Sequence, residues 1–493
     1  MKLTAILGAI GAASDPARTF GVEIEGLEVD SRKTTPGDLF FAVPGGKADG
    51  HDFLEMARSK GAAGAVVSHR VTGCPLEQFV VPDTRRALAL AACEFYGHPS
   101  RRMPLVGVTG TNGKTTIAYL VRQILASQGI KCGLLGTIRN IIAEDEVAPS
   151  ELTTAMAHDI QQLLARIRER GNRAAVMEVS SHALDQHRTF GTRFEVAVFT
   201  NLTPDHLDYH RDMESYFRAK SLLFEGLDLS ARSVIGWDDP YGERLVAQAK
   251  GAILTFGRRK TSNIRIVRWK PLKTGSRVEL EIFGQKIAGR VKLIGGFNAY
   301  NVAGAAGAAL ALGVTRPGIQ EALAGLEPVP GRMEPVEAGQ PFSVLVDYAH
   351  TPDALDKALA AAREHTRGRL VSLFGCGGDR MKEKRGPMGS ISIRLADYSV
   401  ITSDNPRTEN AESIIEQIVA GVKAAGGVKG ENYTVIPDRR EAIRHALTLL
   451  KGGDTLLIAG KGHEDYQILP TGKIHFDDRE EAREGLKDLG YGG

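Results

Sequence analysis

Cysteine and long apolar runs are scarce in this 493-residue chain, and each scarcity excludes a class of protein. The four cysteines (Cys74, Cys93, Cys132 and Cys376) are scattered, with no CxxC pair. This distribution excludes a disulfide framework and indicates a reducing compartment. No stretch approaches the roughly 20 apolar residues that span a bilayer, so membrane insertion is not expected. The sequence therefore predicts a cytoplasmic protein.

Aromatic residues and net charge are also low. Aromatics make up 6% of the chain, with two tryptophans, which leaves few platforms for stacking single-stranded nucleic acid. The 62 basic and 59 acidic side chains give a net charge of +3, too small for a surface that binds polyanions. Hydrophobic (42%) and charged (25%) residues are at levels typical of globular proteins. No nucleic-acid partner is expected.

The first 13 residues, MKLTAILGAIGAA, combine a lysine with apolar and small residues, as signal peptides do. Only one residue of this segment is basic, and glycine and alanine dilute its apolar run. For these reasons an amphipathic first helix is the favoured interpretation.

Apolar strand patterns alternate with helical patterns along most of the chain, which predicts parallel α/β sheets. The predicted strands cover residues 105–109, 174–179, 196–200, 343–347, 370–374, 398–402 and 455–459. One helical face runs from Ile117 to Leu125 and is closed by Gly129. Between residues 261 and 291 apolar and polar residues alternate, which predicts a small antiparallel excursion.

Two proline-marked stretches, at residues 98–104 and 327–335, suggest domain boundaries. They divide the chain into three α/β domains, a number that fits its length. The predicted domains are an N-terminal substrate domain (1–100), a central domain with a P-loop sheet (101–332) and a Rossmann-like C-terminal domain (333–493).

The segment GTNGKTT lies between a predicted strand and a predicted helix. Its glycines let backbone N–H groups turn toward a phosphate, and the helix N-terminus adds a favourable dipole. Lys114 is suited to reach the β- and γ-phosphates, and Thr115 to ligate Mg²⁺. Val108 stands where the standard P-loop has its first glycine. We interpret the segment as an ATP or GTP site formed by Gly110, Thr111, Asn112, Gly113, Lys114, Thr115 and Thr116.

Two further polar segments follow predicted strands. Glu178 ends one strand, and His206 lies just after the next. Because ligands of doubly wound sheets bind beyond the carboxyl ends of strands, both side chains are expected to face the phosphate loop and hold Mg²⁺. An alternative assigns Asp205, His206, Asp208 and His210 to a zinc site, but a P-loop in the same sheet favours Mg²⁺-nucleotide chemistry. Asp208 and His210 also fit as polar caps of a helix.

Together these motifs resemble the Mur ligases, the ATP-dependent enzymes that add amino acids to the peptidoglycan precursor. The matching segments occur in the family's order: GTNGKTT (110–116), EVSSHAL (178–184), NLTPDHLDYH (201–210), GGFNAYN (295–301), PGRME (330–334) and VDYAHTPD (346–353). The resemblance spans all three predicted domains. It also accounts for Val108, because the loop of this family lacks the standard first glycine. It implies an amide-forming ligase that uses ATP and Mg²⁺.

The resemblance also assigns roles that the residues alone do not. Lys220, by itself a typical surface lysine on a helix, matches a lysine that is carbamylated in this family. Carbamylation requires the neutral amine, so the site must depress the pKa of the lysine or trap the product. The implied Mg²⁺ ligands are Thr115, Glu178, His206 and carbamylated Lys220, and the implied catalytic residues are Lys114, Lys220 and His206.

Four later residues are implied at the nucleotide. Asn298 and Asn301 match the region that contacts adenine, Arg332 lies near the phosphates, and Asp347 on the ribose. Without the family, the asparagines would be interpreted as turn residues and the charges as surface groups.

The resemblance further implies that diaminopimelate is joined to UDP-N-acetylmuramoyl-L-alanyl-D-glutamate through an acyl phosphate. Ser31, within Asp30-Ser31-Arg32, and the loop near residues 46–48 would lie at the UDP end. The residues matched to the muramoyl-dipeptide are Thr153, Thr154, Ser180, Gln186 and Arg188. His206 and His350 are both candidates for the group that accepts the proton of the attacking amine.

Three loops in the last domain follow predicted strands: GGDR (377–380), DNPR (404–407) and GKGHE (460–464). Each alone could be a polar turn, but their convergence suggests one pocket. Diaminopimelate is lysine with an added carboxylate, which a guanidinium binds bidentately. Arg407 is therefore predicted to select diaminopimelate, with Asp404 and Glu464 at its ammonium groups and Arg380 at a second carboxylate. The full predicted set is Arg380, Asp404, Asn405, Pro406, Arg407, Gly460 and Glu464.

Three alternatives stay open at this point. They are a lysine-adding ligase of the same family, a ligase similar to folylpolyglutamate synthetase, and a P-loop switch without ligase activity. The Asp30-Ser31-Arg32 segment argues against the second alternative, and Lys114, Thr115, Glu178 and Lys220 together argue against the third. Small-molecule substrates and a monomeric chain are expected.

Overall fold

A computed structural model describes residues 1–13, 15–46, 48–272 and 274–492. The described residues form two compact units. The first unit comprises Met1–Thr255 and Gly304–Val314, and the second comprises Phe256–Ala303 and the chain from Thr315 onward. The predicted three-domain boundaries remain a prediction.

The first unit begins with a four-stranded parallel sheet in the order β1-β2-β3-β4. Its elements are α1 (Leu3–Ile10), α2 (Pro16–Thr19), β1 (Gly26–Glu28), β2 (Asp38–Phe41), α3 (Leu54–Ser59), β3 (Gly64–Val67), β4 (Gln78–Val80) and α4 (Thr84–Phe95). The predicted first helix is confirmed as α1, which buries Leu3, Ile6 and Leu7. Asp83 caps α4 by accepting the N–H groups of Arg85 and Arg86, as expected for an aspartate at this position.

The rest of the first unit is built around a second sheet. Its elements are β5 (Leu105–Thr109), α5 (Lys114–Ser127), β6 (Cys132–Leu135), β7 (Asn140–Ala143), β8 (Glu146–Ala148), α6 (Ala157–Glu169), β9 (Ala174–Glu178), α7 (Ser181–Asp185), β10 (Val196–Phe199), α8 (Leu207–His210), α9 (Met213–Glu225), β11 (Arg232–Gly236) and α10 (Pro240–Val246). The strand order is β11-β10-β5-β9-β6-β7-β8. The first five are parallel, and β7 and β8 are antiparallel.

The central strands of this sheet are buried on both faces, which is why they appear in the sequence as continuous apolar runs. The predicted strands near residues 105, 174 and 196 are confirmed as β5, β9 and β10. Helix α6 packs against α4, so the N-terminal sheet and the second sheet share an apolar boundary. The carboxyl ends of β5, β9 and β10 lie side by side, because these strands are neighbours.

The second unit contains the antiparallel excursion predicted between residues 261 and 291. The excursion comprises β13 (Ile264–Pro271), β14 (Ser276–Ile282) and β15 (Gln285–Val291), and the end of β12 (Ala252–Gly257) precedes it. β12 pairs with β13 in parallel, and β13, β14 and β15 are antiparallel. Helices α11 (Asn298–Ala311) and α12 (Arg316–Leu323) follow, and α11 runs from the second unit into the first.

A six-stranded sheet completes the second unit, in the order β16-β17-β21-β18-β19-β20. Its elements and the helices around it are β16 (Glu334–Pro335), β17 (Ser343–Asp347), α13 (Pro352–His365), β18 (Leu370–Phe374), α14 (Arg385–Leu395), β19 (Tyr398–Ile401), α15 (Ala411–Ala424), β20 (Tyr433–Val435), α16 (Arg439–Thr448), β21 (Thr455–Ala459), the hairpin β22 (Tyr466–Leu469) with β23 (Gly472–His475), and α17 (Asp478–Asp488). Only β16 is antiparallel to its neighbour in the six-stranded sheet.

The four strands predicted in the last domain are confirmed as β17, β18, β19 and β21. Two apolar clusters are built on this sheet and its helices. The α/β class with a parallel-rich sheet in each region is thus the observed architecture. Within the described part of the chain, no helix has the length and apolarity needed to cross a membrane.

Candidate active site

The phosphate loop connects β5 to α5, as predicted. Gly110 and Gly113 both have positive φ angles, 143° and 88°. A Cβ at Gly110 would overlap the hydroxyl of Thr200, so this position requires glycine. Val108 lies inside β5 and pairs with Val198 on one side and Glu178 on the other. The strand therefore continues through the position where a standard P-loop has already begun.

Lys114 is the first residue of α5, and its ammonium group folds back over the loop. It donates to the carbonyl oxygens of Gly110 (3.0 Å) and Thr111 (2.8 Å). The N–H of Thr111 donates to Asn201 O (2.9 Å), and that of Asn112 to Asn201 Oδ1 (3.1 Å). The segment after β10 therefore holds the loop in place. An ammonium group and a helix N-terminus at one point form an arrangement suited to phosphate.

Glu178 ends β9, next to β5, and is fully buried. Its carboxylate accepts the hydroxyl of Thr115 (2.8 Å) and both the N–H (2.8 Å) and the hydroxyl (3.0 Å) of Thr137. The carboxylate and the Thr115 hydroxyl thus lie together at the phosphate loop. Carboxylate and hydroxyl oxygens are hard ligands of the kind Mg²⁺ takes, so these two residues fit that ion.

Lys220 lies on α9 and is only 1% exposed. Its amine donates to Gly110 O (2.8 Å) and lies 4.5 Å from the centre of the Tyr216 ring. Burial, followed by the positive charge of Lys114, holds the pKa of Lys220 well below its usual value. The site behind the phosphate loop therefore favours the neutral form of the Lys220 amine. The sequence alone indicated a surface lysine, and only the family resemblance indicated a special role.

We expect Lys220→Met to stabilise the fold by about 1–2 kcal/mol at neutral pH in CO₂-free buffer. Because the pKa of Lys220 is lower in the folded chain than in the unfolded chain, this lysine lowers the free energy of unfolding at pH values below its unfolded pKa. The gain from Lys220→Met should therefore shrink as pH rises toward the ordinary pKa of a lysine in an unfolded chain, about 10.4. Chemical denaturation at several pH values measures it. Exposed Lys131, changed to methionine, is the control; an equal effect there would contradict the prediction.

His206 directly precedes α8, with a positive φ of 54°. Its ring lies 4.8 Å from that of His182. Its side chain is 48% exposed, and the partial desolvation of the ring lowers the pKa of His206, which favours the neutral imidazole that a metal ion binds. His210 instead turns its Nε2 to Ser181 Oγ (2.9 Å) and is buried against Tyr216.

These placements do not support the zinc alternative. Among the residues that the structure describes, no three histidine, cysteine or carboxylate side chains are grouped so as to hold a metal ion. Asp208 lies in the first turn of α8, where an acidic side chain stabilises a helix. Asp208 therefore occupies a position at the start of a helix, which was the alternative to a role as a metal ligand.

The five residues matched to the muramoyl-dipeptide lie together beside Glu178. Thr154 is buried, and its hydroxyl donates to Glu178 O (2.9 Å) and accepts the N–H of Ser180 (2.9 Å). The Thr153 and Thr137 hydroxyls are 3.2 Å apart. Arg188 donates to Thr154 O (2.9 Å) and to Gln186 Oε1 (2.7 Å).

Ser31 lies in the N-terminal region, where it is buried and donates to Met56 Sδ (3.2 Å). Its neighbours Asp30 and Arg32 form a two-bond ion pair that lowers the pKa of Asp30 to about 2. In the loop assigned to the UDP end, Lys47 lies outside the described residues.

The four residues assigned to the nucleotide by resemblance all lie in the second unit. Asn298 and Asn301 start α11, are buried, and bond to each other (2.7 Å). Arg332 lies 4.6 Å from the centre of the Tyr348 ring. Asp347 ends β17 and accepts the N–H groups of Met333 and Ala349, and burial raises its pKa. Neither the asparagines nor Asp347 are the exposed turn or surface groups that the residues alone suggested.

The three loops of the last domain do converge, because β21, β18 and β19 are adjacent. Asn405 donates to Glu464 (2.8 Å), and Arg407 Nη1 donates to Gly378 O (2.8 Å). Arg407 and Asp379 have positive φ angles of 55° and 53°. Such backbone strain in non-glycine residues is concentrated at functional sites in proteins. The remaining residues of the predicted set lie in the same loops: exposed Arg380, and Asp404, Pro406 and Gly460.

Two buried basic residues, Lys461 and Arg385, also lie in this cluster and could not be recognised as buried from the sequence. Lys461 is unexposed and donates to Glu464 Oε2 (3.1 Å), with Asp404 Oδ1 at 3.7 Å. Burial raises the pKa of Glu464, and the charge of Lys461 opposes that rise. Arg385, also unexposed, donates to Glu409 (2.9 Å) and to Gly377 O (3.2 Å). The motif GKGHE contained a signal for Lys461, but Arg385 lies in no motif.

Known protein-family models match most of the chain. The model of the Mur ligase family catalytic domain matches residues 23–96. The Mur ligase middle domain matches residues 108–309, and the Mur ligase glutamate ligase domain matches residues 331–462.

Curated relatives match nearly end to end. A protein of Gloeobacter violaceus named UDP-N-acetylmuramoyl-L-alanyl-D-glutamate–2,6-diaminopimelate ligase is 47% identical over 489 residues, 99% of this chain and 98% of the relative. A protein of the same name from Geobacter metallireducens is 43% identical, covering 97% of this chain and 96% of the relative.

Solved structures show the same likeness. A structure of a ligase with this name has a TM-score of 0.68 at 32% identity, covering 97% of this chain and 99% of that chain. The MurF ligase of Thermotoga maritima in complex with ADP has a TM-score of 0.64 at 21% identity, covering 95% of this chain and 97% of that chain, a likeness of fold alone.

Proposed function

The chain belongs to the Mur ligase family, whose members are ATP-dependent amide-forming ligases, and we propose that it joins meso-2,6-diaminopimelate to UDP-N-acetylmuramoyl-L-alanyl-D-glutamate. The products are the UDP-linked tripeptide, ADP and phosphate. The observation that carries this proposal is the near end-to-end similarity to relatives named for that reaction. The folate-like alternative rests on a likeness of fold alone, to folylpolyglutamate synthase structures that are 18–19% identical and cover 77% of this chain.

Nucleotide binding is assigned to residues 110–116, with Lys114 at the β- and γ-phosphates of ATP. The ammonium group is held by two loop carbonyls and is already at the helix N-terminus. We further assign the adenine end to Asn298 and Asn301, the phosphates to Arg332 and the ribose to Asp347.

Thr115, Glu178, His206 and carbamylated Lys220 are the residues we assign to Mg²⁺. When bound, Mg²⁺ supplies positive charge that offsets the charge of the phosphates. Glu178 and Thr115 are held together by a direct hydrogen bond (2.8 Å), so their oxygens are placed before any ion enters. Carbamylation joins the neutral Lys220 amine to the carbon of CO₂ and releases one proton, which turns the amine into a carboxylate-like ligand.

The reaction proceeds in two transfers. An oxygen of the glutamyl γ-carboxylate attacks the γ-phosphorus of ATP and ADP leaves, which forms an acyl phosphate. The amine of diaminopimelate then attacks the acyl carbon, phosphate leaves, and the amine loses a proton. Lys114 stabilises the charge on the transferred phosphoryl group. Thr153, Thr154, Ser180, Gln186 and Arg188 hold the muramoyl-dipeptide, and Ser31 and the loop near residue 46 hold the UDP end.

The pocket for diaminopimelate is assigned to the three converging loops. Arg407 binds the carboxylate that distinguishes diaminopimelate from lysine, and Arg380 binds a second one. Asp404 and Glu464 bind the ammonium groups, and Asn405, Pro406 and Gly460 shape the pocket. Of the three predicted domains, we assign binding of the UDP end to residues 1–100, binding of ATP to residues 101–332 and binding of the amino acid to residues 333–493. A cytoplasmic monomer is proposed because one chain carries every assigned residue and the reaction needs ATP.

Incubation of the protein with ATP, Mg²⁺ and UDP-N-acetylmuramoyl-L-alanyl-D-glutamate tests this proposal. Phosphate release and the tripeptide mass are followed with either meso-diaminopimelate or L-lysine, and omission of the UDP substrate is the control. We expect efficient turnover with diaminopimelate and only marginal turnover with L-lysine. Turnover with lysine in its place would overturn the substrate assignment, and no turnover with either would overturn the reaction.

A further inference from the structure

A cavity of about 210 Å³ lies in the first unit, where the N-terminal sheet meets the second sheet. Its walls include Gly45 and Gly46 of the loop after β2, Arg85 of α4, and Gln186 and Arg188 after α7. The cavity is smaller than the roughly 300–1,000 Å³ of a typical ligand pocket, so it suits one part of a large substrate. Its lining residues include two arginines and no aspartate or glutamate.

Both arginines are held by neutral oxygens. Arg85 Nη2 donates to Pro44 O (2.6 Å), and Arg188 donates to Thr154 O and Gln186 Oε1. Neither guanidinium forms an ion pair with a carboxylate of the described residues. Burial, and then the positive charge of Arg85, lowers the pKa of Arg188, so the two charges repel each other. Two like charges at one cavity, with no carboxylate among its described lining residues, create a site for an anion.

The identity of that anion follows from its position, and this step rests on the proposed function. The loop of Gly45 and Gly46 is assigned to the UDP end of the substrate, whereas Gln186 and Arg188 are assigned to the muramoyl-dipeptide. The group that connects uridine to the sugar in such a substrate is the diphosphate. We propose that Arg85 binds this diphosphate together with Arg188. Arg85 belongs to α4 beside the N-terminal sheet, and Arg188 follows α7 beside the second sheet.

The contact of Arg85 with Pro44 suggests how the site is built. The same guanidinium that faces the cavity also holds the carbonyl of the loop before Gly45. A guanidinium has five N–H donors, so one bond to a carbonyl leaves donors for phosphate oxygens. Arg85 therefore selects substrates that carry a diphosphate over those that carry only a nucleoside.

The test compares Arg85→Ala and Arg85→Lys with the full-length wild type by calorimetric titration with UDP and with uridine. We expect Arg85→Ala to weaken UDP binding by about tenfold to a hundredfold, with uridine binding unchanged. Arg85→Lys should retain part of the affinity because it keeps the charge. Arg70, an exposed arginine of the same region, is the matched control as Arg70→Ala. Thermal unfolding verifies that each variant is folded.

Unchanged UDP affinity in folded Arg85→Ala would overturn the proposal. An equal loss of UDP and uridine binding would also overturn it, because Arg85 would then act only by bracing the loop at Pro44. In turnover assays, Arg85→Ala should raise KM for the UDP substrate and leave kcat and the KM for ATP unchanged. Arg85-dependent UDP binding without any turnover in the wild type would contradict the proposed function alone. Turnover that does not depend on Arg85 would contradict this inference alone.

Discussion

Replacing Lys114 by methionine is expected to lower kcat for phosphate release by about a thousandfold or more. The ammonium group is the assigned cation at the phosphoryl group, and methionine keeps the length of the side chain without its charge. The KM for diaminopimelate should change little, because the loops assigned to it are built on a different sheet. Steady-state phosphate release at saturating substrates measures both parameters.

Lys131→Met, on the exposed surface of the same unit, controls for the loss of a positive charge. Because Lys114 bonds to two loop carbonyls, the fold of its methionine variant is verified by circular dichroism. A folded Lys114→Met variant with kcat within tenfold of the wild type would contradict the assignment of this lysine to the phosphates.

Arg407→Ala should lower kcat/KM for diaminopimelate by about a hundredfold to a thousandfold and leave kcat/KM for L-lysine unchanged or higher. The far carboxylate would lose its bidentate partner, whereas lysine has no such group. The ratio of the two kcat/KM values, measured by competition with product masses as the readout, is insensitive to the amount of active enzyme.

Arg394→Ala, an exposed arginine of α14, is the matched control and should keep the wild-type ratio. Arg407→Lys should retain part of the preference, because an ammonium group binds a carboxylate without the fork geometry. Equal losses with diaminopimelate and lysine in Arg407→Ala would show that this arginine shapes the loop instead of selecting the substrate. Arg407 donates a 2.8 Å hydrogen bond to Gly378 O, so its replacement by alanine also removes a contact that holds the neighbouring loop.

The sheet architecture could be predicted from the sequence because buried parallel strands leave continuous apolar runs. The same reasoning brought Glu178 to the phosphate loop, since the end of each parallel strand meets the same edge of the sheet. The 2.8 Å bond from Thr115 to Glu178 joins residues 63 positions apart. Strand adjacency, a rule of topology, was enough to anticipate that meeting.

Buried charges could not be predicted in this way. Lys220, Lys461 and Arg385 lie on a helix or a loop, where a basic residue is usually exposed. Their burial depends on tertiary contacts that the sequence does not reveal. Examples are the hydrogen bonds from Lys220 to Gly110 O and from Arg385 to Glu409. The rotation of His210 toward Ser181 was equally inaccessible, because sequence spacing fixes a residue's position on a helix but not its side-chain partner.

The pairing of buried charges among the three C-terminal loops constrains how this protein can evolve. Lys461 forms ion pairs with the carboxylates of Asp404 and Glu464. Arg385 donates hydrogen bonds to Gly377 O and to the Glu409 carboxylate. Removing one partner leaves a buried charge uncompensated, which costs about 3–5 kcal/mol, whereas coordinated replacement can be neutral. Substitutions here are therefore epistatic. A change of amino-acid preference in this pocket therefore requires coordinated substitutions in more than one loop.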